Sequence, residues 1–396
     1  MTDLFGTNPS REVIHLLEQA GYEAVFVGGA VRDYVLGKPA TDIDIATSAE
    51  PEEVKAVFPM TVDLGTEHGT VLVLMDGEPI EVTTYRTEGT YTDHRRPDSV
   101  QFVKSLREDL LRRDFTMNAL AMTKDGELID LFEGKQDMAR QLIRAVGNAA
   151  DRFNEDALRM FRAIRFASVL GFTIEQETFE AICDKAAQIR HVSVERLKVE
   201  MDKLLSGAHP AKAFRCIQDT TLGLHLPLFP KDITQLTELV PFDSAREGWA
   251  CLMAVGQFTP LDVTRAYKLS NVEKSFLSSV KQALTKRTVQ PFTVDDYYAF
   301  DIDVLLTAEK LVHVLRNTSD KLSRAEIVAR KQSLPIQSLA DLAVNGTTLI
   351  SWTGLRGGKW TGEWIGKIAY AVLHGRCEND PNNIKEWFLH EFNCEK

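Results

Sequence analysis

The 396-residue sequence has little cysteine, no long apolar run and no excess of positive charge. Its five cysteines are an odd number, lie far apart and never form a Cys-x-x-Cys pair, which argues against a disulfide framework and a zinc site. No apolar run reaches the roughly 18 residues that a membrane span needs. The first residues also lack the basic start and apolar stretch of a secretory signal. These absences predict a cytoplasmic protein.

Basic residues are too few to make the chain positive. Lysine and arginine number 46 against 57 aspartate and glutamate residues, so the net charge is −11. That balance argues against indiscriminate binding to polyanions, and any contact with nucleic acid must use local basic patches. The length favours several domains, and the 44% apolar and 26% charged fractions are typical of a globular protein.

Strand patterns are concentrated in the first 148 residues. There, short β-rich runs alternate with helical patterns, which predicts a mixed α/β domain. From about Asp151 onward the strand signals nearly vanish, and apolar residues recur at the i, i+3, i+4 spacing of helices. These helical patterns cover six segments: 151–170, 175–189, 193–206, 210–219, 264–287 and 303–316. The sequence therefore predicts an α+β fold, with a mixed N-terminal domain and a helical remainder.

The segment AVFVGGAVRD, residues 24–33, predicts a strand that runs through a Gly28-Gly29 turn into a helix. Glycines at such a turn let backbone N–H groups approach a phosphate, and Arg32 adds a positive charge beside them. The pattern is neither Gly-x-Gly-x-x-Gly nor a P-loop, because no Gly-Lys pair is followed by Ser or Thr. It favours a triphosphate site, although an ordinary tight turn would also explain the glycines.

Two alternating carboxylates follow in TDIDIAT, residues 41–47. Side chains alternate along a strand, so we expect Asp42 and Asp44 on one face, roughly 7 Å apart. Such a pair suits two Mg²⁺ ions, one lowering the pKa of an attacking hydroxyl and the other stabilising a pyrophosphate leaving group. A hairpin predicted over 70–86 adds Glu81 as a candidate third catalytic carboxylate. Alternatively, the aspartates belong to an exposed edge strand and Glu81 is simply solvated.

These residues resemble the signature of a known enzyme family. The segments GGAVRD (28–33) and DID (42–44) are similar to the signature of polymerase-β-type nucleotidyltransferases, in the branch of tRNA nucleotidyltransferases and bacterial poly(A) polymerases. Two further segments, EDLLRRDFTMNA (108–119) and EDALRMFR (155–162), resemble later motifs of that branch in the same order. The resemblance implies four domains: a catalytic head at 1–148, then a helical base-recognition neck at 149–206, a helical body at 207–300 and a helical tail at 301–396.

A helix predicted over 152–170 carries apolar residues on one side and arginines on the other. Asp156 and Arg159 are neighbours at i and i+3, and such a pair can bind an amino group beside a ring acceptor, the pattern that cytosine and adenine share. The resemblance implies that these two residues read the base. It also implies nucleotide contacts from the other matched positions: Arg113, Arg162 and Arg165, with Gly29 and Arg32 on the phosphate side. The alternative is a salt-bridged helix with a solvated basic face.

The function that the resemblance implies is template-independent addition of CCA to the 3′ end of tRNA from CTP and ATP, with release of pyrophosphate. The polar segment 88–97 occupies the place of a family loop needed to switch from CTP to ATP, which favours full CCA addition over CC addition. Bacterial poly(A) polymerase is the nearest alternative, and a pI of about 5.4 opposes it. A catalytically silent RNA-binding protein is a second alternative, which the intact Asp42 and Asp44 oppose.

Contacts with RNA are expected in the helical remainder. Residues 264–287 contain six basic residues and one acidic residue, including the candidates Arg265 and Lys268. This density suits a phosphate backbone, although a solvated helical face explains it equally well. A glycine-rich turn with Arg356 and Lys359 precedes a predicted helix and resembles the tail of bacterial CCA enzymes, which grips the tRNA elbow. The tryptophans around this turn are alternatively core residues.

Overall fold

The computed structural model describes residues 5–40, 42–63, 69–88, 100–316 and 322–394. The chain divides into two compact units. The first comprises Met1–Ile233, Val240–Ala245 and Arg265–Lys268, and the second comprises Thr234–Leu239, Arg246–Thr264 and Leu269–Lys396. The finer division into four domains, inferred above from the resemblance, stays a prediction.

Every strand of the described residues lies in the first unit. The strands are β1 Ala24–Val27, β2 Asp44–Thr47, β3 Thr61–Asp63, β4 Thr70–Met75, β5 Glu78–Thr84, β6 Arg86–Glu88, β7 Val100–Phe102, β8 Leu120–Met122, β9 Leu128–Asp130, β10 Leu142–Ile143 and β11 Thr173–Ile174. Seven of them form one mixed sheet in the order β3-β4-β5-β2-β1-β8-β9. Within it only β2 and β5 are parallel neighbours. This sheet confirms the predicted α+β class.

The predicted hairpin is formed by β4 and β5, which pair in antiparallel register. Its turn is Asp76-Gly77, and both residues have positive φ, 51° and 82°. That combination is the type I′ turn, whose twist matches the twist of the flanking strands. The turn sets the register of β5 and so decides which residue of β5 lies beside β2.

Helices form most of the rest of the described chain. They are α1 Asn8–Gln19, α2 Gly29–Val35, α3 Pro51–Val57, α4 Leu106–Leu111, α5 Gly134–Ala139, α6 Ala149–Glu155, α7 Leu158–Leu170, α8 Gln176–Lys185, α9 Val194–Leu205, α10 Pro210–Asp219, α11 Thr234–Glu238, α12 Ala245–Val255, α13 Pro260–Tyr267, α14 Asn271–Arg287, α15 Val294–Ala299, α16 Ile302–Arg316, α17 Arg324–Gln332, α18 Gly346–Thr353, α19 Lys359–Leu373 and α20 Pro381–Cys394. None of the described helices combines the length and apolarity needed to cross a membrane.

Two of the predicted helices are each divided in the structure. The segment 151–170 is α6 and α7, and the segment 264–287 is α13 and α14. The second division has a local cause, because Ser270 and Glu273 form a capping box that starts α14. The first division lies at Asp156, which has an extended backbone and whose contacts are described with the site.

An aromatic core holds the C-terminal helices together. Trp364 of α19 meets Phe388 of α20 edge to face, with ring centroids 5.2 Å apart, a favoured geometry for two aromatic rings. Trp352 and Trp360 are partly buried against the same core. The core alternative for these tryptophans is therefore confirmed, and what remains exposed near them is the basic turn at Arg356 and Lys359.

Candidate active site

Strand β2 places a carboxylate at its first residue, Asp44. The parallel register with β5 sets Asp44 directly beside Glu81. Asp42 precedes the strand and is exposed, so the prediction that both aspartates lie on one regular strand is wrong. Burial and Glu81 are the main causes that raise the pKa of Asp44 to about 6, Arg113 opposes them, and Asp42 adds to them. We call Asp42, Asp44 and Glu81 the acidic corner.

The acidic corner has the chemistry of a site for a divalent cation. The repulsion that Glu81 and Asp42 exert on Asp44 would be offset by a cation lying among them. Within the described parts of the chain, no three His, Cys, Asp or Glu side chains converge closely enough to hold a metal ion by themselves. Proteins commonly bind Mg²⁺ through one or two carboxylates, while substrate phosphates and water complete the shell.

The Gly28-Gly29 turn joins β1 to α2 next to the acidic corner. Gly28 has a φ of 81°, and a Cβ there would lie 3.2 Å from Arg113 Nη1 and 3.8 Å from Asp44 Oδ2. Both the backbone conformation and the close approach of Arg113 therefore favour glycine. Arg32 of α2 lies beside Gly29, with its Nη2 3.6 Å from the position of a Gly29 Cβ. The turn thus has an arginine on each side.

A cavity of about 510 Å³ extends from this turn to α7 and α9, and its size is within the usual range of ligand sites. Eight basic side chains line it: Arg32, Arg112, Arg113, Arg159, Arg162, Arg165, Arg196 and Lys203. The lining carboxylates are Asp44, Asp114 and Asp156. We call it the arginine cavity. It brings together all seven residues that the resemblance implied as nucleotide contacts, and the individual roles stay predictions.

Asp114 connects the arginines of α7 to the domain that carries the sheet. Arg162 donates to Asp114 Oδ2 from Nε and Nη2 at 2.8 and 2.6 Å. The Phe115 backbone N–H and Asn118 Nδ2 donate to Oδ1 at 2.8 and 2.9 Å. Burial opposes a charge on Asp114, but Arg162 and the Asn118 hydrogen bond outweigh it and lower the pKa to about 2. Asp114 is therefore a fully satisfied anion.

Glu200 of α9 holds the same arginines from the other side. It accepts from Arg165 Nε at 2.9 Å and pairs with Arg162 Nη1 at 3.4 Å. The guanidinium of Arg165 also lies 3.4 Å from the ring centroid of Phe166, in cation–π contact. Polar contacts thus continue across the cavity through Asp33, Arg32, Asn118, Asp114, Arg162, Glu200 and Arg165. Such a network fixes the rotamers of the guanidinium groups.

The predicted base-reading residues lie where α6 ends and α7 begins. Asp156 has an extended backbone, with φ −141° and ψ 103°, so the predicted helical i, i+3 geometry is wrong. Arg196 of α9 donates to both carboxylate oxygens of Asp156 at 3.2 and 2.6 Å. Arg159 is buried and donates to Glu155 at 2.6 Å and to the Arg112 carbonyl at 2.9 Å. A solvated basic face does not describe these arginines.

The RNA-binding candidates differ in how they are held. Arg356 and Lys359 are exposed around the turn before α19. Arg265 is exposed too, and Lys268 is exposed but pairs with Glu195 at 2.5 Å. Arg287, counted in the basic segment, is buried and pairs with Glu309, so it cannot contact RNA. Residues 89–97 of the predicted loop segment lie outside the described residues.

Sequence reasoning missed several residues that line the cavity or hold its arginines. Asp114 and Asn118 lie within the segment 108–119, but no role was inferred for them. Arg196, Glu200 and Lys203 lie on α9 in a segment predicted only as a helix. Their spacing of i, i+4 and i+7 puts them on one helix face, and this stripe of charges is the signal that could have found them.

Comparisons with known proteins agree with this geometry. Residues 24–144 match the family "Poly A polymerase head domain" and residues 240–388 match a family described as tRNA nucleotidyltransferase domain 2. A CCA-adding enzyme from Bacillus cereus is 43% identical over 381 residues, which cover 95% of this chain and 96% of the relative. These results favour the tRNA nucleotidyltransferases over the poly(A) polymerases.

Solved structures give the same result. The crystal structure of the Bacillus stearothermophilus CCA-adding enzyme in complex with CTP matches with a TM-score of 0.83 and 39% identity, over 98% of both chains. The Thermotoga maritima CCA-adding enzyme complexed with tRNA has a TM-score of 0.67 and 22% identity, over 96% of this chain and 94% of that one, and supports the fold alone. The similarity in sequence and structure over nearly the whole length shows that this chain belongs to the CCA-adding enzyme family of tRNA nucleotidyltransferases.

Proposed function

We propose that this protein completes the 3′ end of tRNA by adding C, C and A. The tRNA 3′-hydroxyl attacks the α-phosphate of CTP twice and of ATP once, and pyrophosphate leaves each time. The observation that carries the proposal is the arginine cavity, in which Asp44 of the acidic corner and the Asp156 and Arg159 pair line one space of nucleotide size. Membership of the CCA-adding enzyme family supports the same reaction.

The phosphates of the nucleotide are assigned to the Gly28-Gly29 end of the cavity. Backbone N–H groups can approach an anion there because no Cβ intervenes, and Arg32 and Arg113 lie on either side. Asp33 and Asn118 hold Arg32 in place, at 2.9 and 2.7 Å. A guanidinium already held by hydrogen bonds loses little entropy when it binds a phosphate.

The base is assigned to Asp156 and Arg159. A carboxylate has about four lone-pair positions, and Arg196 and the Leu158 N–H use three of those on Asp156. The remaining position can accept from the exocyclic amino group of cytosine or adenine, and Arg159 can donate to the adjacent ring acceptor. Uracil and guanine present N–H and carbonyl groups in the wrong order for this pair. Selection of C and A therefore needs no template strand.

Enzymes of this family generally use divalent metal ions, and we propose Mg²⁺ at Asp42 and Asp44 with Glu81 as the third carboxylate. When bound, the ion would lower the pKa of the attacking hydroxyl and offset charge on the phosphates. The chain itself contributes the register that sets Asp44 of β2 beside Glu81 of β5. Arg113 offsets part of the repulsion that acts on Asp44.

The tRNA is assigned to exposed cations in the helical remainder. Arg356 and Lys359 flank a glycine-rich turn, and Arg265 and Lys268 lie on an exposed surface of the first unit. The Lys268 pair with Glu195 is exposed on both sides, so exchanging it for a phosphate costs little. Contacts with the backbone and the shape of RNA suit substrates that share an elbow and an acceptor stem but no common sequence.

Incorporation assays test the proposal. Purified protein, Mg²⁺ and a tRNA transcript that lacks CCA are incubated with each labelled nucleotide, separately and together, and the products are separated on a sequencing gel. We expect two C residues from CTP alone, complete CCA from CTP with ATP, and no product from UTP or GTP. A tRNA that already ends in CCA is the matched control and should accept nothing. A long ladder of A residues from ATP alone would instead identify a poly(A) polymerase.

A further inference from the structure

The arginine cavity contains one positive charge that its surroundings do not balance. Seven of its eight basic side chains have a carboxylate partner. For the eighth, Lys203, the described residues provide neither an ion pair nor a hydrogen bond. Its side chain is exposed at the cavity wall. Lys203 therefore differs from the arginines, because its charge is available to a ligand without breaking an existing contact.

Helices α7 and α9 run in the same direction, and their contacts locate Lys203 along the cavity. Arg196 of α9 meets Asp156 just before α7 begins, and Glu200 meets Arg165 in its middle. One turn further, Ser168 of α7 donates to the Leu204 carbonyl at 2.6 Å. Lys203, beside Leu204, is roughly 10 Å along the axis of α9 from Arg196. It lies at the opposite end of the α9 stripe from the base-reading residues.

The stretch of α7 between Arg165 and Ser168 also contacts Arg32. The guanidinium carbon of Arg32 lies 5.2 Å from the ring centroid of Phe166, and that of Arg165 lies 3.4 Å from it. Lys203 is therefore level with the part of the cavity where Arg32 and Arg165 meet Phe166. Two arginines and a lysine at one end of a cavity form a suitable environment for a group with several negative charges.

We propose that Lys203 binds the terminal phosphates of the incoming nucleotide, an assignment that rests on the proposed function of the cavity. A nucleoside triphosphate is long enough for its base to lie at Asp156 while its phosphates extend toward Arg32. The lysine ammonium is a compact charge with three donors on a flexible stem, suited to a phosphate group that leaves with the product. The phosphates are common to CTP and ATP, so Lys203 acts equally on both and has no part in base choice.

Equilibrium binding of CTP and CMP to the full-length protein tests the assignment. Lys203→Met should weaken the binding of CTP by about tenfold and leave the binding of CMP unchanged, because CMP lacks the terminal phosphates. Lys203→Arg keeps the charge and should stay within about twofold of the original protein. Lys198→Met is the matched control, since Lys198 lies on the same helix, pairs with Asp202 at 2.8 Å and does not line the cavity. Equal weakening of CTP and CMP, or unchanged binding of CTP, overturns the assignment.

Steady-state kinetics distinguishes the nucleotide from the RNA as the source of the phosphate. We expect Lys203→Met to raise KM for CTP and for ATP by the same factor, with kcat and the KM for tRNA unchanged. A rise confined to the KM for tRNA would place a phosphate of the RNA at Lys203 and overturn the assignment. The binding arm needs no turnover, so it remains decisive if the original protein adds no nucleotide to tRNA. A protein that adds no nucleotide to tRNA would reject the proposed function. A loss of binding confined to CTP would still support Lys203 as a triphosphate ligand.

Discussion

The acidic corner and the surroundings of Asp114 both combine carboxylates with arginines, but they act on the carboxylates in opposite directions. Burial and Glu81 raise the pKa of Asp44 to about 6. Arg162 and Asn118, acting against burial, lower the pKa of Asp114 to about 2. Asp114 accepts hydrogen bonds at both oxygens, whereas Asp44 lies in register beside another carboxylate. The difference teaches that the charge of Asp114 is neutralised by partners within the protein, whereas Asp44 experiences a repulsion that a bound cation would offset.

The largest effect should follow from removing the unbalanced charge of the acidic corner. Asp42→Asn combined with Asp44→Asn should lower incorporation of C and A by about 10³-fold or more, because the proposed metal ligands are lost. The free energy of unfolding should not fall, since two repelling carboxylates become neutral. Urea unfolding in the absence of metal measures the free energy of unfolding, and a gel-based assay measures the incorporation of C and A. A large loss of stability would break the comparison, because it would make the acidic corner structural.

Removing the charge of Asp114 should instead lower stability. Asp114→Asn removes the charge that holds Arg162 and should lower the free energy of local opening of α7 by about 2 kcal/mol at pH 7. Hydrogen exchange of the α7 amides, followed by mass spectrometry, measures this opening. The amides of α19, in the second unit, are the internal control and should not change. Unchanged protection of α7 would show that the Asp114 network contributes no stability.

The difference in stability between the original protein and Asp114→Asn should depend on pH, and the pKa of Asp114 fixes the sign of this dependence. The folded pKa of Asp114 is depressed from its usual 3.8 to about 2, so the carboxylate contributes stability above about pH 4, and this contribution is lost as the pH falls through 2. The difference in free energy of unfolding between the original protein and Asp114→Asn should be constant from pH 5 to 7 and shrink below pH 4. Urea unfolding followed by circular dichroism checks it. A difference that persists unchanged at pH 3 would contradict the ion-pair explanation.

The smallest effect should come from exposed cations. Arg356→Ala combined with Lys359→Ala should raise the KM for tRNA about tenfold and leave the KM for CTP unchanged, because each residue supplies a backbone contact only. The slope of log KM for tRNA against log salt should fall by about 1 to 2. Thermal unfolding should be unaffected. A change in the KM for CTP would show that these cations act on the nucleotide cavity and not through RNA alone.

Features that depend on neighbours in the chain were predicted well. The hairpin of β4 and β5 follows from the turn at Asp76-Gly77, and the strand-to-helix turn follows from Gly28-Gly29. The capping box at Ser270 and Glu273 was also visible in the sequence, although it was not used to divide the segment 264–287. In each case a few consecutive residues specify the backbone conformation, so no knowledge of distant contacts is needed.

Features that depend on distant partners were not predictable. Asp156 is a residue type that favours helix starts, and its Oδ1 accepts from the Leu158 N–H, but the apolar periodicity continues through it and predicts one unbroken helix. Arg196, 40 residues further along, donates to both carboxylate oxygens of Asp156, and this contact is not visible in the sequence. Arg287 counts among the six basic residues of the segment 264–287, but it is buried and pairs with Glu309. Charge in a sequence does not reveal whether a partner neutralises it.

The sequence by itself indicated the α+β architecture through its local patterns, and its family resemblance indicated the reaction class and seven of the residues that line the cavity. Only the tertiary structure decided which charges are satisfied. The packing of α9 against α7 brings Arg196 to Asp156 and Glu200 to Arg165, and it leaves Lys203 without such a partner among the described residues. The geometry of ion pairs between distant residues is fixed by the packing of the helices that carry them. The sequence could therefore identify the arginines, but it could not distinguish the arginines that have carboxylate partners from Lys203, which has none among the described residues.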